Sequence, residues 1–314
     1  MALTEGDVGR RVVVRRLVAG GGFSDVLGEL LAIDADTLVV RRSDGEPVSI
    51  PAADVRAAKP VPPKAQRWTV QELEAIAAPG WRGLEEEHLG GWLLRAGNGF
   101  TGRANSVLPL AEPDRPLPEA LDRVTRWYAE RGLPPLFQLP LPLAAALDGE
   151  LAAAGWRAFS PVRFLIAPLD RVLAAAPERT HLPPVRHDAT PSEEWLAGYH
   201  YRGAALPDGA RTVLTNAADP TFVSVSDGEE LLGVGRGVVH QGWLGVTAVT
   251  VAAAARRRGL GTHLMRGLVQ WGWARGARHC YLQVAGENAA ALQLYDRLGF
   301  VVHHRYHYRI LEVS

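Results

Sequence analysis

"ARRRGLGTHL", residues 255–264, decides how this chain reads. Three arginines run into two glycines one residue apart, and then Thr262 and His263. The stretch is not a P-loop, because no Gly-Lys-Ser/Thr follows. Nor is it a dinucleotide fingerprint, because Leu264 stands where the third glycine belongs. Upstream, "WLGVTAVTV" (243–251) reads as a strand. Downstream, "GTHLMRGLVQWGWARG" (261–276) places Leu264, Leu268 and Trp271 on one helical face. Val251 is therefore expected to end a strand and Thr262 to open a helix. Unpaired N–H groups at a helix start, aided by the helix dipole, make an anion site. Glycine lets a bulky diphosphate approach the backbone, and flanking arginines add charge. From the residues alone, this is a pyrophosphate cradle.

The spacing Arg256-x-x-Gly259-x-Gly261 resembles the R/Q-x-x-G-x-G/A signature of the GNAT acetyltransferase superfamily. The strand Val249-Thr250-Val251 precedes it as that pattern requires. Further on, "ENAAALQLYDRLGF" (287–300) resembles the superfamily's N-x-x-A-x-x-L-Y-x-x-x-G-F motif, with Asn288, Ala291, Leu294, Tyr295, Gly299 and Phe300 matching. The resemblance covers residues 185–314 and implies acetyl-CoA as co-substrate. The N–H groups of Arg257, Arg258, Gly259, Leu260, Gly261 and Thr262 would then hold the diphosphate. The backbone of Val249 and Val251 would pair with the pantetheine arm as an added strand, which needs the strand to splay from its neighbour. Asn288 and Tyr295 lie two helical turns apart with Ala291 between them. Tyr295 is the implied general acid. A phenol of pKa ~10 stays protonated at neutral pH and can give its proton to a departing thiolate.

The rest of the chain sets the frame. In 314 residues, 47% are hydrophobic and 22% charged, the profile of a globular protein of two or three domains. Lys+Arg and Asp+Glu are both 34, and zero net charge argues against a nucleic-acid partner. Cys280 is the lone cysteine, expected to be buried and inert, so no intrachain disulfide forms. The N-terminus lacks an apolar signal region and no apolar run spans a bilayer, so a cytoplasmic location without membrane contact is expected. "HHRYHY" (303–308) splits its histidines over two strand faces and is read as partly exposed, with no metal expected.

Residues 1–60 read as short Val-, Leu- and Ile-rich strands punctuated by "AGGG" and "SDGE", a small all-β SH3-like barrel. "KPVPPK" (59–64) follows as a stiff linker. Residues 66–178 mix helices such as "VQELEAIAA" with extended stretches such as "GGWLLRAG" and "RANSVLPL". "APERTHLPP" (176–184) marks a boundary, and Thr190-Pro191-Ser192-Glu193 reads as a capping box opening the last domain, 185–314. Within the middle segment, "GELAAAGWRAFSPVRFLI" (149–166) echoes "LQLYDRLGFVVHHRYHYRI" (292–310). Gly155-Trp156 lines up with Gly299-Phe300, and Leu151 stands where Tyr295 does. No R-x-x-G-x-G accompanies the echo, so residues 66–178 read as a degenerate GNAT-like unit. The fold class is therefore α+β: a tandem GNAT fold behind a small barrel.

The likeness also has gaps. Many GNAT enzymes place a carboxylate on or near the strand before the cradle, but residues 242–251 hold no acid. His240, Glu230, Glu287 or a water relay are the candidate bases. The acceptor site is expected between the helical region 195–210 and the final strands, with Tyr199 and Arg202 in it and Arg236 as a fork for an acceptor carboxylate. The domain order, with "GWLLRAGNGFTGRANSV" (91–107), resembles an actinobacterial family of tandem GNAT proteins associated with N-acetylglutamate synthase activity. That resemblance implies a small-molecule amine acceptor, L-glutamate first. Other amines or amino sugars, and a non-catalytic acetyl-CoA sensor, stay open. So do a homodimer and a nucleic-acid role for Arg10-Arg11, Arg15-Arg16 and Arg41-Arg42.

Overall fold

The computed structural model describes residues 3–18, 20–42, 46–61, 68–200 and 204–311. The chain forms two compact units, Met1–Arg67 and Trp68–Ser314.

The first unit is an antiparallel sheet of β1 (Arg11–Val18), β2 (Gly22–Ile33), β3 (Thr37–Arg42), β4 (Pro47–Pro51) and β5 (Val55–Pro60), ordered β4-β3-β2-β1-β5. Alternation buries Val12 and Val14 of β1 with Val26, Leu30, Val40 and Ile50. Arg10, Arg15 and Arg41 each meet an acid, at 2.9 Å from Asp7, 3.2 Å from Asp25 and 3.9 Å from Glu29. The expected linker at 59–64 starts as strand, since Lys59 and Pro60 pair with Val13 and Val12. Residues 62–64, like Ala19 and 43–45 of the expected turns, lie outside the described residues.

The second unit runs α1 (Val70–Ala77), β6 (Glu85–Leu89), β7 (Trp92–Ala96), β8 (Leu108–Pro109), α2 (Leu117–Ala129), β9 (Leu136–Leu141), α3 (Ala145–Ala153), β10 (Arg157–Pro168) and α4 (Leu169–Ala175). It continues with β11 (Arg186–Asp188), α5 (Glu193–Gly198), α6 (Ala210–Thr215), β12 (Thr221–Asp227), β13 (Glu230–His240), β14 (Trp243–Val251), α7 (Leu260–Ala274), β15 (His279–Ala285), α8 (Ala289–Arg297) and β16 (Val301–Ile310). Strands β6, β7 and β8 form a small sheet. The other strands form one eight-stranded sheet, β11-β12-β13-β14-β15-β10-β16-β9. Among the described residues, only β14 and β15 pair in parallel within it.

The internal echo is visible in the backbone. The order β8-α2-β9-α3-β10 repeats as β14-α7-β15-α8-β16. Gly155 and Gly299 both end a helix in the left-handed region, at φ 84° and 83°. After each, an aromatic N–H bonds back five residues at 3.0 Å, Trp156 to the Leu151 carbonyl and Phe300 to that of Tyr295. The last strands are exchanged: β10 lies beside β15, and β16 beside β9. This exchange welds the two halves into one sheet across the boundary read at 176–184.

Three local expectations shift. Residues 103–110 are not one extended run. Arg103–Asn105 forms a 3-10 turn and only Leu108–Pro109 is strand, because Asn105 binds the loop's own backbone. The cap of α5 is Ser192, whose Oγ accepts the Trp195 N–H at 3.1 Å, so Pro191 precedes the cap. The helical region 195–210 is broken: α5 ends at Gly198 and α6 starts at Ala210. Helix α7 packs Leu264 and Leu268 onto Val223, Leu244, Val246 and Leu282, with Trp271 at the margin. Each buried leucine contributes about 1.5–3 kcal/mol.

Candidate active site

The arginine-glycine stretch sits between β14 and α7. The helix opens at Leu260, two residues before the expected Thr262, with Gly259 as N-cap at φ 85°. Across the helix start, the His263 N–H donates to the Gly259 carbonyl at 3.1 Å. The N–H groups of Leu260, Gly261 and Thr262 therefore head the helix as free donors. Arg257 also lies at positive φ, 63°, so left-handed residues bracket Arg258. Alternating backbone of this kind gathers N–H groups into a concavity for anions. Each glycine has its own reason. Gly259 supplies the left-handed turn, and Gly261 makes room for Leu294, whose Cδ2 would lie 3.0 Å from a Cβ there. Arg256, Arg257 and Arg258 are exposed, and Arg256 Nε donates to the Val251 carbonyl at 3.3 Å.

One further cation comes from the stretch read as a boundary. Residues 176–185 run out and back along α7. Arg266 holds the Ala176 carbonyl at 2.6 Å, and His263 Nε2 meets the Pro183 carbonyl at 2.9 Å. At the far end the Arg179 guanidinium lies over Gly259, where a Cβ would come within 2.7 Å of its Cζ. Its Nε is buried without a partner among the described residues. No local motif marks Arg179; only its return to α7 brings it here.

Upstream of the cradle, the sheet opens. β14 and β15 pair from Trp243–His279 to Val246–Leu282 and then part. Ala248, at φ 57°, bulges β14 at the fork, between the Thr247–Arg236 and Thr250–Val234 pairs. Val249, Thr250 and Val251 stay half-buried; Thr250 and Val251 pair with β13 on one side, and the stretch is open towards β15 on the other. An open strand edge of this kind accepts an added extended chain. Residues of both lips, Thr247 and Ala248 with Gln283 and Ala285, line a cavity of about 180 Å³. Trp81, Thr101, Arg103, Ser160, Tyr199 and Tyr306 are among its other walls.

Known proteins carry the same combination. Residues 69–309 match the family described as "Probable histone acetyltransferase Rv0428c C-terminal", and residues 6–59 match "Rv0428c N-terminal Sm-like domain". The chain is 32% identical to the probable histone acetyltransferase Rv0428c of Mycobacterium tuberculosis, over 96% of this chain and 94% of that protein. The chain is a GNAT N-acetyltransferase of the Rv0428c family. Its fold is shared with a GCN5-related N-acetyltransferase from Kribbella flavida, at TM-score 0.59 and 17% identity, over 79% of this chain and 98% of that one. It is also shared with a tandem GNAT protein from the clavulanic acid biosynthesis pathway, at TM-score 0.51 and 15% identity, over 67% and 75%. The first unit of this acetyltransferase thus matches a domain described as Sm-like, where the sequence reading names an SH3-like barrel.

The other expected site residues of this GNAT scatter. Tyr295 is buried on α8, edge-on to Phe300 at 5.6 Å, and burial raises its phenol above the ordinary range. Asn288 is the N-cap of α8, its Oδ1 accepting the Ala291 N–H at 3.1 Å, so its carboxamide serves the helix. Tyr199 reaches the cavity wall. Arg202 lies outside the described residues. Arg236 is fully buried, with Nε on the Leu214 carbonyl at 2.8 Å and Nη1 on that of Gly80 at 2.9 Å. Its guanidinium is thus largely spent on backbone, and burial pushes its pKa down to about 10. None of His240, Glu230 and Glu287 is among the cavity's walls.

The histidines of "HHRYHY" need correcting too. His303 and His304 are buried, His303 against the Trp68 carbonyl and His304 against Glu74 and the Phe164 ring. Their Nδ1 atoms meet at 2.9 Å, and His304 Nε2 lies 2.9 Å from buried Glu74. Cys280 is fully buried, which raises its thiol.

Proposed function

We propose that this chain transfers the acetyl group of acetyl-CoA to the amine of a small molecule, with L-glutamate the first acceptor to test. The observation that carries this reading is the fork between β14 and β15, with a cradle after one arm and a small cavity between both. In this reading acetyl-CoA supplies an activated acetyl thioester. Its diphosphate meets the N–H groups of residues 257–262, with Arg179 adding charge from above Gly259. Its pantetheine arm lies along residues 249–251. The acceptor nitrogen bonds the acetyl carbon as the carbon–sulfur bond breaks. The amine loses a proton to a water relay, Tyr295 gives one to the sulfur, and the phenolate regains its proton from solvent. Burial keeps that phenol neutral at physiological pH, as a donor must be.

The cavity's size supports a small acceptor. Pockets for drug-sized ligands run to roughly 300–1,000 Å³, and this one is about 180 Å³. Larger hollows exist, such as one of about 420 Å³ lined by Pro109, Arg115 and Leu147, but none of its walls belongs to the fork. Glutamate comes from the sequence resemblance, and the name of the Mycobacterium tuberculosis relative points instead to histones.

The test is CoA release from acetyl-CoA with L-glutamate, a panel of amines and amino sugars, a lysine-rich peptide, or no acceptor. Saturable, acceptor-dependent release is expected, and Tyr295→Phe should lower kcat about 100-fold with little change in either KM. Full turnover in Tyr295→Phe would remove the acid assignment. Tight acetyl-CoA binding without release for any acceptor would favour a sensor, a rival suggested by the lack of a carboxylate or imidazole among the described residues of the cavity wall.

A further inference from the structure

The stretch at 91–107 has no part in the cradle, yet it builds one wall of the cavity. Its loop, residues 97–105, is locked from within by Asn105. Oδ1 accepts the N–H groups of Gly97 at 2.7 Å and Gly99 at 2.9 Å. Nδ2 donates to the carbonyls of Phe100 at 2.9 Å and Thr101 at 2.8 Å. Thr101 Oγ1 accepts Trp81 Nε1–H at 2.9 Å. Gly102 lies flat on the Tyr308 ring, where a Cβ would be 3.1 Å from Cζ. The next side chain is Arg103. Its guanidinium carbon lies 5.5 Å from the Trp81 ring centroid, and it hydrogen-bonds Tyr306.

Two features mark this as a built site. Arg103 is the one charged side chain among the described wall residues, which include no carboxylate. Thr101, Ser160 and Ala248, three of the seven described non-glycine residues at positive φ, line this single cavity, at 65°, 52° and 57°. Such a residue is strained and persists where its surroundings enforce it, often at ligand clamps.

We propose that Arg103 holds a carboxylate of the acceptor and so restricts the enzyme to amines of the α-amino acid class. This deepens, and rests on, the acetyltransferase reading. The planar guanidinium fork suits a carboxylate. Its charge also disfavours an ammonium ion nearby and so favours the neutral amine that must attack. A lysine side chain of a peptide brings a cation and no anion, and Arg103 selects against it. The half that lacks the arginine-glycine signature thereby sets specificity for the half that carries it.

The experiment compares wild type, Arg103→Gln and Arg103→Lys in CoA release. Acceptors are the standard amino acids, the α-amide of the best one, and a lysine-rich peptide. Acetyl-CoA affinity is measured by calorimetry in parallel. Wild type should prefer the acid over its amide at least about tenfold in kcat/KM, because a site built for one polar partner rejects the analogue lacking it. Arg103→Gln should lose that preference through the acceptor KM, with acetyl-CoA affinity unchanged, and Arg103→Lys should regain part of it. An equal loss for acid and amide, or a wild-type preference for the peptide, would overturn the assignment while leaving acetyl transfer intact. A wild type that does not bind acetyl-CoA would sink both readings together.

Discussion

The two halves of the second unit start corresponding helices in opposite ways. Helix α7 begins Gly259-Leu260-Gly261, and α2 begins Pro116-Leu117-Pro118. Both N-cap positions lead into a leucine, and both helices pack against the strands that flank them. Gly259 turns left-handed at φ 85°, while proline fixes φ near −65° and carries no N–H. Proline is welcome in a first helical turn, where the N–H has no helical partner. The α2 start therefore keeps its helix but loses donors and concavity together. The comparison gives a physical meaning to the missing signature in the middle segment: the scaffold survives and the row of N–H donors does not.

The strongest way to break this comparison is to write one start into the other. Gly259→Pro with Gly261→Pro should weaken acetyl-CoA binding at least about 100-fold, or ~2.8 kcal/mol, while unfolding stays cooperative. Calorimetry and a melting curve would check both. Near-native affinity would mean that something other than the N–H donors separates the halves. A smaller effect should follow at the other wall. Gly102→Ala pushes a methyl against the Tyr308 ring and tilts the Arg103 loop. The acceptor KM should rise about three- to tenfold, since small displacements of a positioning group are costly, and the acetyl-CoA KM should hold. Equal rises in both would make the loop a general support.

The smallest effect concerns the join between the halves. Asp148 of α3 accepts from His307 Nε2 at 2.8 Å and Arg309 Nε at 2.5 Å, both on β16. Partial burial pushes its carboxyl up, but the hydrogen bonds from Arg309 and His307 outweigh that and hold it below its ordinary value. A depressed carboxyl stabilises the fold above its unfolded pKa, and the gain fades as pH falls through the folded one. Asp148→Asn should cost about 1 kcal/mol at neutral pH and little at the acid end. Urea melts at several pH values would show the two curves converging, and parallel curves would rule the link out.

Much of the cofactor half was legible because its parts are neighbours in sequence. Strand, turn and helix from Val249 to Thr262 carry their own reasons, as does the glycine stop after α8. Even there the resemblance gave Asn288 a ligand's place, where the local hydrogen bond makes it a cap. The acceptor half was not legible. Arg236 looked available, and its Nε and Nη1 are held by backbone carbonyls; Arg103 looked like part of an extended run and faces the cavity.

The sequence alone marked the strand, turn and helix from Val249 to Thr262, the glycine stop after α8, and the echo between residues 149–166 and 292–310, because periodicity, glycine geometry and helix capping act over a few residues. Tertiary structure decided the exchange of β10 and β16, the fork after Val246, and the gathering of Trp81, Arg103, Ser160, Tyr199 and Gln283 around one cavity. Those outcomes depend on which strand edges pair across long loops. That choice is made by burial and backbone pairing over the whole sheet, and no short stretch of sequence encodes it.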